Sequence, residues 1–109
     1  IPLAALVGFP SCEQDKELAT SINLTQIQNI VDVLTDDQKI LFPNTNSGYG
    51  SRTEGMVDET NDLTPISHYG VTKCQAEDYI LQEQRRQRIH STSLMQSLTI
   101  YDLITFLFY

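Results

Sequence analysis

Two short stretches, N-T-N-S-G-Y-G at residues 44–50 and Y-G-V-T-K at residues 69–73, decide what fold and chemistry this chain predicts. Tyr69 and Lys73 are four residues apart, so on a helix they lie on one face, one turn apart. A lysine ammonium beside a phenol stabilises the phenolate, and we therefore expect Lys73 to lower the pKa of Tyr69 and make it a base. Thr45 offers a hydroxyl just after a predicted strand, where such a base could meet a substrate. By spacing alone, an exposed Tyr–Lys pair without function is the favoured interpretation, because such pairs are common on helices.

Three segments predict short strands, of which the first two are expected to be buried. The first is the continuous apolar run 1–7, bounded by Gly8 and Pro10, the second is residues 39–42, and the third is residues 89–94. Continuous apolar runs of this length between turn residues are typical of strands in a covered sheet.

Two helices are predicted between these strands. Ser11 and Gln14 have the spacing of a capping box, so the first helix should start there and run to about Leu34. Thr64 and Pro65 should start the second helix as its N-cap and first-turn proline. An inward stripe is expected on each helix, formed by Leu24, Ile27, Val31 and Leu34 on the first and by Tyr69, Lys73, Ala76 and Ile80 on the second.

Outside these stripes the second helix should carry polar, more exposed side chains, among them Glu77, Asp78 and Gln82. His68 is directed about 100° away from Tyr69 on a helix, so we interpret it as non-catalytic.

Four segments of the chain, in this order, resemble the extended short-chain dehydrogenase/reductase family in its nucleotide-sugar epimerase/dehydratase branch. They are L-A-A-L-V-G at 3–8, A-T-S-I-N-L at 19–24, P-N-T-N-S-G-Y-G at 43–50 and S-H-Y-G-V-T-K-C-Q-A-E at 67–77. The resemblance implies an α/β fold, namely the central β-α-β-α-β portion of a partial Rossmann-type three-layer fold with parallel strands. Residues 1–94 would belong to this NAD(P)-binding domain, and residues 95–109 form an unassigned apolar tail.

The resemblance also implies site residues. Tyr69, Lys73 and Thr45 would be catalytic, and the cofactor would contact Leu3, Ala4, Ala5, Tyr69 and Lys73. The substrate would contact Thr45, Asn46 and Ser47. Asn23 is either a structural residue that ties its helix to the active-site loop or an ordinary, partly exposed helix asparagine.

The function that the resemblance implies is an NAD-dependent epimerase acting on a nucleoside-diphosphate sugar in an intact parent protein, with NADP left open as cofactor. A dehydratase would need an acid–base pair, typically Asp-Glu, just after Thr45, where Asn46-Ser47 stands. Two alternatives remain open: a related reductase of a non-sugar carbonyl, and a non-catalytic remnant that serves as an interaction or NAD-sensing module. The sequence contains no G-x-x-G-x-x-G fingerprint. We therefore expect a fragment that alone is inactive and binds NAD poorly.

The charge and the cysteine content of the chain indicate which classes of binding partner are expected. Lys and Arg number 7 against 14 Asp and Glu, giving a net charge of −7, which argues against nucleic-acid binding. Cys12 and Cys74 are far apart and form no C-x-x-C or Cys/His cluster, so we expect two reduced thiols, no metal and a cytoplasmic location. The apolar run 94–109 is too short to span a bilayer and contains Asp102, so no membrane is expected. A homodimeric parent is compatible with the resemblance.

Overall fold

The computed structural model describes residues 1–50 and 62–86, together with the backbone of residues 90–94. The helices are α1 (Phe9–Gln14), α2 (Lys16–Thr20), a π-helical turn (Ser21–Thr25), α3 (Gln26–Asp32), a 3-10 turn (Asn46–Tyr49) and α4 (His68–Arg85). The strands are β1 (Lys39–Pro43) and β2 (His90–Leu94). The predicted second and third strands are thereby confirmed.

The two strands pair in parallel, from Lys39 opposite His90 to Pro43 opposite Leu94. The connection between them contains α4, which also contacts β2 and the α3 side of the chain. This part of the molecule is a β-α-β unit, and parallel pairing requires such a long crossover.

The predicted first strand is wrong. Residues 1–7 adopt no strand, and the side chains of Leu3 and Val7 are 69% and 62% exposed. The backbone N–H and C=O of Leu6 bond to the side chain of Asn23 rather than to a neighbouring strand. Within the described residues, the expected β-α-β-α-β portion is therefore present only from its second strand onward.

The predicted helix over 11–34 is divided into segments. It begins at Phe9, after Gly8 with φ 90°, and Ser11 does not act as its cap. Asp15 leaves the helical region (φ −136°, ψ 84°) and its Oδ1 accepts a hydrogen bond from the Leu18 N–H at 2.9 Å. Asp15 is therefore the N-cap of a new helical run, which continues through the π-helical turn to Asp32.

The core lies between α3, β1 and α4. Its buried members are Ile27, Val31, Ile40, Phe42, Ala76 and Ile80, and partly buried Leu24, Ile30, Leu34 and Tyr79 pack against them. Both predicted apolar stripes thus meet on β1. Each large apolar side chain buried in this way contributes about 1.5–3 kcal/mol to the free energy of folding. Together these side chains hold α4 against β1.

The start of α4 differs from the prediction. Its N-cap is Ser67, whose Oγ accepts a hydrogen bond from the Gly70 N–H at 3.0 Å. Thr64 instead donates its N–H to the Gly48 carbonyl at 2.8 Å and its hydroxyl to the Tyr49 carbonyl at 3.1 Å. These two bonds hold the segment before α4 against the loop that follows β1.

Among the helices that the structure describes, none has the length and hydropathy that a membrane span requires.

Candidate active site

The loop that leaves β1 places Thr45 at the start of the 3-10 turn. Thr45 is extended (φ −139°, ψ 144°), and its Oγ1 accepts a hydrogen bond from the Ser47 N–H at 3.2 Å, as an N-cap does. The same hydroxyl donates to the Ser47 Oγ at 3.1 Å. The Thr45 side chain is thus held in one orientation at the carboxyl end of a parallel strand, where open α/β sheets bind ligands.

The first turn of α4 packs directly on this loop. A Cβ placed on Gly70 would come within 2.8 Å of the Ser47 carbonyl oxygen and 3.1 Å of Pro65 Cβ. Glycine at this position therefore permits the close approach that brings Tyr69 beside Thr45.

Tyr69 is half-buried, and its phenol lies close enough to the Thr45 side chain for that side chain to influence its pKa. Burial raises the pKa of Tyr69 above its ordinary value, the Thr45 side chain lowers it in part, and the nearby Cys12 adds to the rise. The expectation that Lys73 lowers the pKa of Tyr69 is therefore wrong: burial raises this pKa, and the smaller opposite effect comes from Thr45.

Lys73 is buried, with 7% of its surface exposed, and its ammonium contacts the end of β1. Nζ donates to the Pro43 carbonyl at 2.7 Å and lies 4.0 Å from the centroid of the Phe42 ring, a cation–π contact. Burial lowers the pKa of Lys73 to about 8, against a smaller opposite effect of the Glu77 charge. The predicted common face of Tyr69 and Lys73 is present on α4, and the ammonium on it is held by β1.

Glu77 and Asn44 form a link that the sequence pattern did not indicate. Asn44 is 4% exposed, and its Nδ2 donates to Glu77 Oε2 at 2.7 Å. Glu77 was expected to be among the more exposed side chains of α4 but is half-buried, whereas Asp78 and Gln82 are exposed as predicted. The available indication was spacing, because Glu77 follows Lys73 by the same four residues that separate Lys73 from Tyr69.

Asn23 has the structural role rather than the ordinary one. It is 2% exposed, and its side chain bonds to both backbone groups of Leu6 and, at 3.5 Å, to the Thr72 hydroxyl on α4. It lies in the π-helical turn, a feature that is frequent at functional sites. The residue thus connects the first helical layer to α4 through Leu6 and Thr72.

His68 connects α4 to α2. Its Nε2 lies 3.0 Å from the Lys16 carbonyl and 2.9 Å from the Thr20 hydroxyl, and its backbone N–H donates to Glu13 Oε1 at 2.8 Å. Because a carbonyl can only accept, Nε2 is assigned the proton. Through these contacts His68 holds the start of α4 against α2.

The other predicted ligand contacts are accessible. Leu3, Ala4 and Asn46 are exposed, and Ala5 and Ser47 are half-buried. Their roles toward cofactor and substrate stay predictions. Cys12 and Cys74 are free thiols, as expected. Among the residues that the structure describes, no group of three or more His, Cys, Asp or Glu could hold a metal ion.

Comparison with solved structures gives the fold a wider context. The chain is similar to the UDP-N-acetylglucosamine 4-epimerase of Methanobrevibacter ruminantium in complex with UDP-N-acetylmuramic acid (TM-score 0.79, 19% identity, covering 85% of this chain and 31% of that one). It is similar to the UDP-glucose 4-epimerase of Brucella ovis in complex with NAD (TM-score 0.78, 23% identity, 85% and 29%). It is also similar to the UDP-glucuronic acid 4-epimerase of Bacillus cereus in complex with UDP-glucuronic acid and NAD (TM-score 0.77, 26% identity, 85% and 30%). The chain spans less than a third of the length of each of these three proteins.

The sequence profile of the NAD dependent epimerase/dehydratase family matches residues 1–100, which is most of the chain. The structural neighbours are Rossmann-type 4-epimerases of UDP-sugars. The chain belongs to the NAD dependent epimerase/dehydratase family.

Proposed function

We propose that the parent protein is an NAD-dependent, epimerase-like oxidoreductase that acts on a nucleoside-diphosphate sugar. The observation that carries this proposal is the close packing of the first turn of α4 on the loop after β1, which places Tyr69 beside Thr45, with Lys73 one turn further along the same face of α4. The ligands named for the solved neighbours, UDP-sugars and NAD, support the same class of substrate and cofactor.

Each residue of the set has a role in the proposed reaction. Thr45 hydrogen-bonds the reacting sugar hydroxyl, and Tyr69 accepts its proton. Lys73 holds a ribose hydroxyl of the cofactor and stabilises the phenolate, because both side chains share one face of α4. NAD, when bound, would supply the hydride acceptor and donor that inversion of the sugar carbon requires.

The residues present fit one end of the cofactor. The hydroxyls of Thr45, Ser47 and Tyr69 and the ammonium of Lys73 lie around the end of β1, a donor set suited to a ribose and a sugar. Leu3, Ala4 and Ala5 provide small or exposed positions that a ring could approach. A glycine-rich pyrophosphate turn does not occur in the sequence, so we propose that this chain alone binds NAD poorly.

The remaining proposals concern the parent. Its sheet continues in a parallel, three-layer Rossmann arrangement, and its cofactor is NAD or NADP. Asn46-Ser47 after Thr45 favours epimerisation over dehydration, because neither side chain is a strong acid or base. Two free thiols favour a cytoplasmic location. A homodimer stays open.

One alternative has support of its own. The raised pKa of Tyr69 and the commitment of the Lys73 ammonium to Pro43 favour a resting, non-catalytic set when this chain stands alone. Calorimetric titration with NAD combined with a turnover assay separates the two proposals, since a non-catalytic NAD-sensing module in the full-length protein would bind NAD without turning over any nucleotide sugar.

The deciding experiment is Tyr69→Phe in the full-length protein. We expect turnover of UDP-sugars to fall by roughly 10²–10⁴-fold with NAD affinity nearly unchanged, because only the proton acceptor is removed. Tyr79→Phe is the matched control: it lies on the same helix, and its hydroxyl donates to Asp32 Oδ1 at 2.6 Å, away from this set. Equal turnover in the two variants would reject Tyr69 as the base.

A further inference from the structure

Asn44 is a buried amide whose two ends serve different elements. Its Nδ2 donates to Glu77 Oε2 on α4 at 2.7 Å, and its Oδ1 accepts from the N–H of Thr45 at 2.9 Å. A charged acceptor makes the first of these bonds shorter and stronger than a neutral one. The position of the Thr45 backbone is therefore connected to a carboxylate on α4 through a single side chain.

The same carboxylate acts on Lys73. Glu77 lies one turn further along α4, and its negative charge favours the ammonium form of Lys73, which burial disfavours. The other described groups that face the ammonium are the Pro43 carbonyl and the Phe42 ring, neither of which titrates. Glu77 is thus the charged neighbour that offsets the burial of Lys73.

We propose that Glu77 is a positioning residue of the active site, which fixes the Thr45 backbone through Asn44 and, one helical turn beyond Lys73, supplies a negative charge that favours the ammonium form of that lysine. Its catalytic consequence rests on the proposed function, whereas the hydrogen bonds of Asn44 and the placement of the charge do not.

Packing alone does not require this link. Ala76 and Ile80 already bury the inner face of α4 against the core. A half-buried carboxylate costs desolvation that an apolar side chain would avoid. The hydrogen bond that Glu77 accepts from Asn44 explains why a carboxylate occupies this half-buried position.

The test uses the full-length protein with Glu77→Gln, Glu77→Ala and the control Asp78→Asn. Asp78 is exposed on the next position of α4 and accepts from Gln82 Nε2 at 2.7 Å, so its variant removes an equal charge from the outer face. Two measurements need no substrate: NMR titration of the Lys73 ammonium, assigned with Lys73→Met, and hydrogen exchange of the Thr45 amide.

Glu77→Gln keeps an oxygen that can accept from Asn44 but loses the charge. We expect the Lys73 titration midpoint to fall and the Thr45 amide exchange to stay close to that of the unmodified protein. Glu77→Ala should shift the midpoint in the same direction, accelerate Thr45 exchange and lower kcat/KM by up to ~100-fold through misplacement of Thr45. Asp78→Asn should change none of the three.

Two results would overturn the proposal: a Lys73 midpoint that is the same in Glu77→Gln and Asp78→Asn, or Thr45 exchange in Glu77→Ala that equals that of the unmodified protein. If the unmodified protein turns over no nucleotide sugar, the proposed function fails, and the two NMR measurements still decide the role of Glu77.

Discussion

Both polar atoms of the Asn23 side chain bond to the backbone of Leu6: Oδ1 accepts from its N–H and Nδ2 donates to its C=O, each at 2.9 Å. A primary amide offers the same donor and acceptor pair that a residue of a neighbouring strand would offer. One buried side chain therefore anchors residues 1–7 without a strand, and its further contact with Thr72 connects that segment to the helix that carries Tyr69.

Asn23→Ala should lower the free energy of unfolding by about 1–3 kcal/mol, because it leaves the partly buried N–H of Leu6 without its acceptor and the Leu6 carbonyl with only the weak Cys12 thiol donor at 3.2 Å. Urea denaturation measures the loss. Asn29→Ala is the control, since Asn29 is an exposed asparagine of the same helical run. Equal losses in the two variants would show that the bonds to Leu6 contribute nothing specific.

Gly50 and Gly8 form a matched pair for a second prediction. Both have a backbone conformation that is nearly restricted to glycine (φ 69°, ψ −151° and φ 90°, ψ 145°). An alanine Cβ at Gly50 would collide with the Thr64 carbonyl oxygen, whereas at Gly8 the nearest atom is Pro10 Cδ at 4.0 Å.

Gly8→Ala should therefore cost about 1–3 kcal/mol for the backbone alone. Gly50→Ala should cost more, because the clash is added to the same backbone penalty. Thermal unfolding of both variants gives the comparison. A smaller loss for Gly50→Ala would contradict the close approach of Thr64 to the loop after β1.

Sequence patterns predicted the secondary structure correctly where burial of one face determines it. The apolar run 39–42 and the stripe of Ala76 and Ile80 were predicted correctly, because burial on one face determines both. The run 1–7 looks the same in sequence whether a strand or a side chain takes its backbone groups. Asn23 takes those of Leu6, and no periodicity reveals a partner seventeen residues away.

The site shows the same division. Thr45 and Tyr69 are brought together as the motifs indicated. The ammonium of Lys73 bonds to Pro43 instead, since burial at the end of β1 places a carbonyl oxygen within its reach. The N-cap of α4 also depends on tertiary contacts. Thr64 and Ser67 can both cap a helix, but the Thr64 hydroxyl donates to the Tyr49 carbonyl, so Ser67 caps α4.

Lys73 should make stability depend on pH in the alkaline range. Its folded pKa of about 8 is below the ordinary value of 10.5, so the unfolded chain binds more protons between these values. Stability contributed by this group therefore rises as the pH increases from about 8 to about 10.5, and it is lowest below pH 8.

Relative to Lys73→Met, the unmodified protein should gain free energy of unfolding across this range, as measured by urea denaturation at several pH values. Lys39→Met, which removes an exposed lysine, should show no such trend. A pH-independent difference between Lys73→Met and the unmodified protein would reject a lowered pKa for Lys73.

Thr45 is the group that opposes the rise in the pKa of Tyr69, and its hydroxyl can be removed with little change in shape. Thr45→Val should raise the pKa of Tyr69 further, so the phenolate forms only at higher pH, whereas Thr45→Ser should leave it nearly unchanged. NMR titration of ring-labelled tyrosine, with Tyr69→Phe for assignment, measures the shift.

At neutral pH, Thr45→Val should also lower UDP-sugar turnover by roughly 10²-fold, because a positioned hydrogen-bond donor is lost. An unchanged titration in Thr45→Val would show that Tyr69 does not depend on this hydroxyl, and full activity in that variant would remove Thr45 from the proposed mechanism.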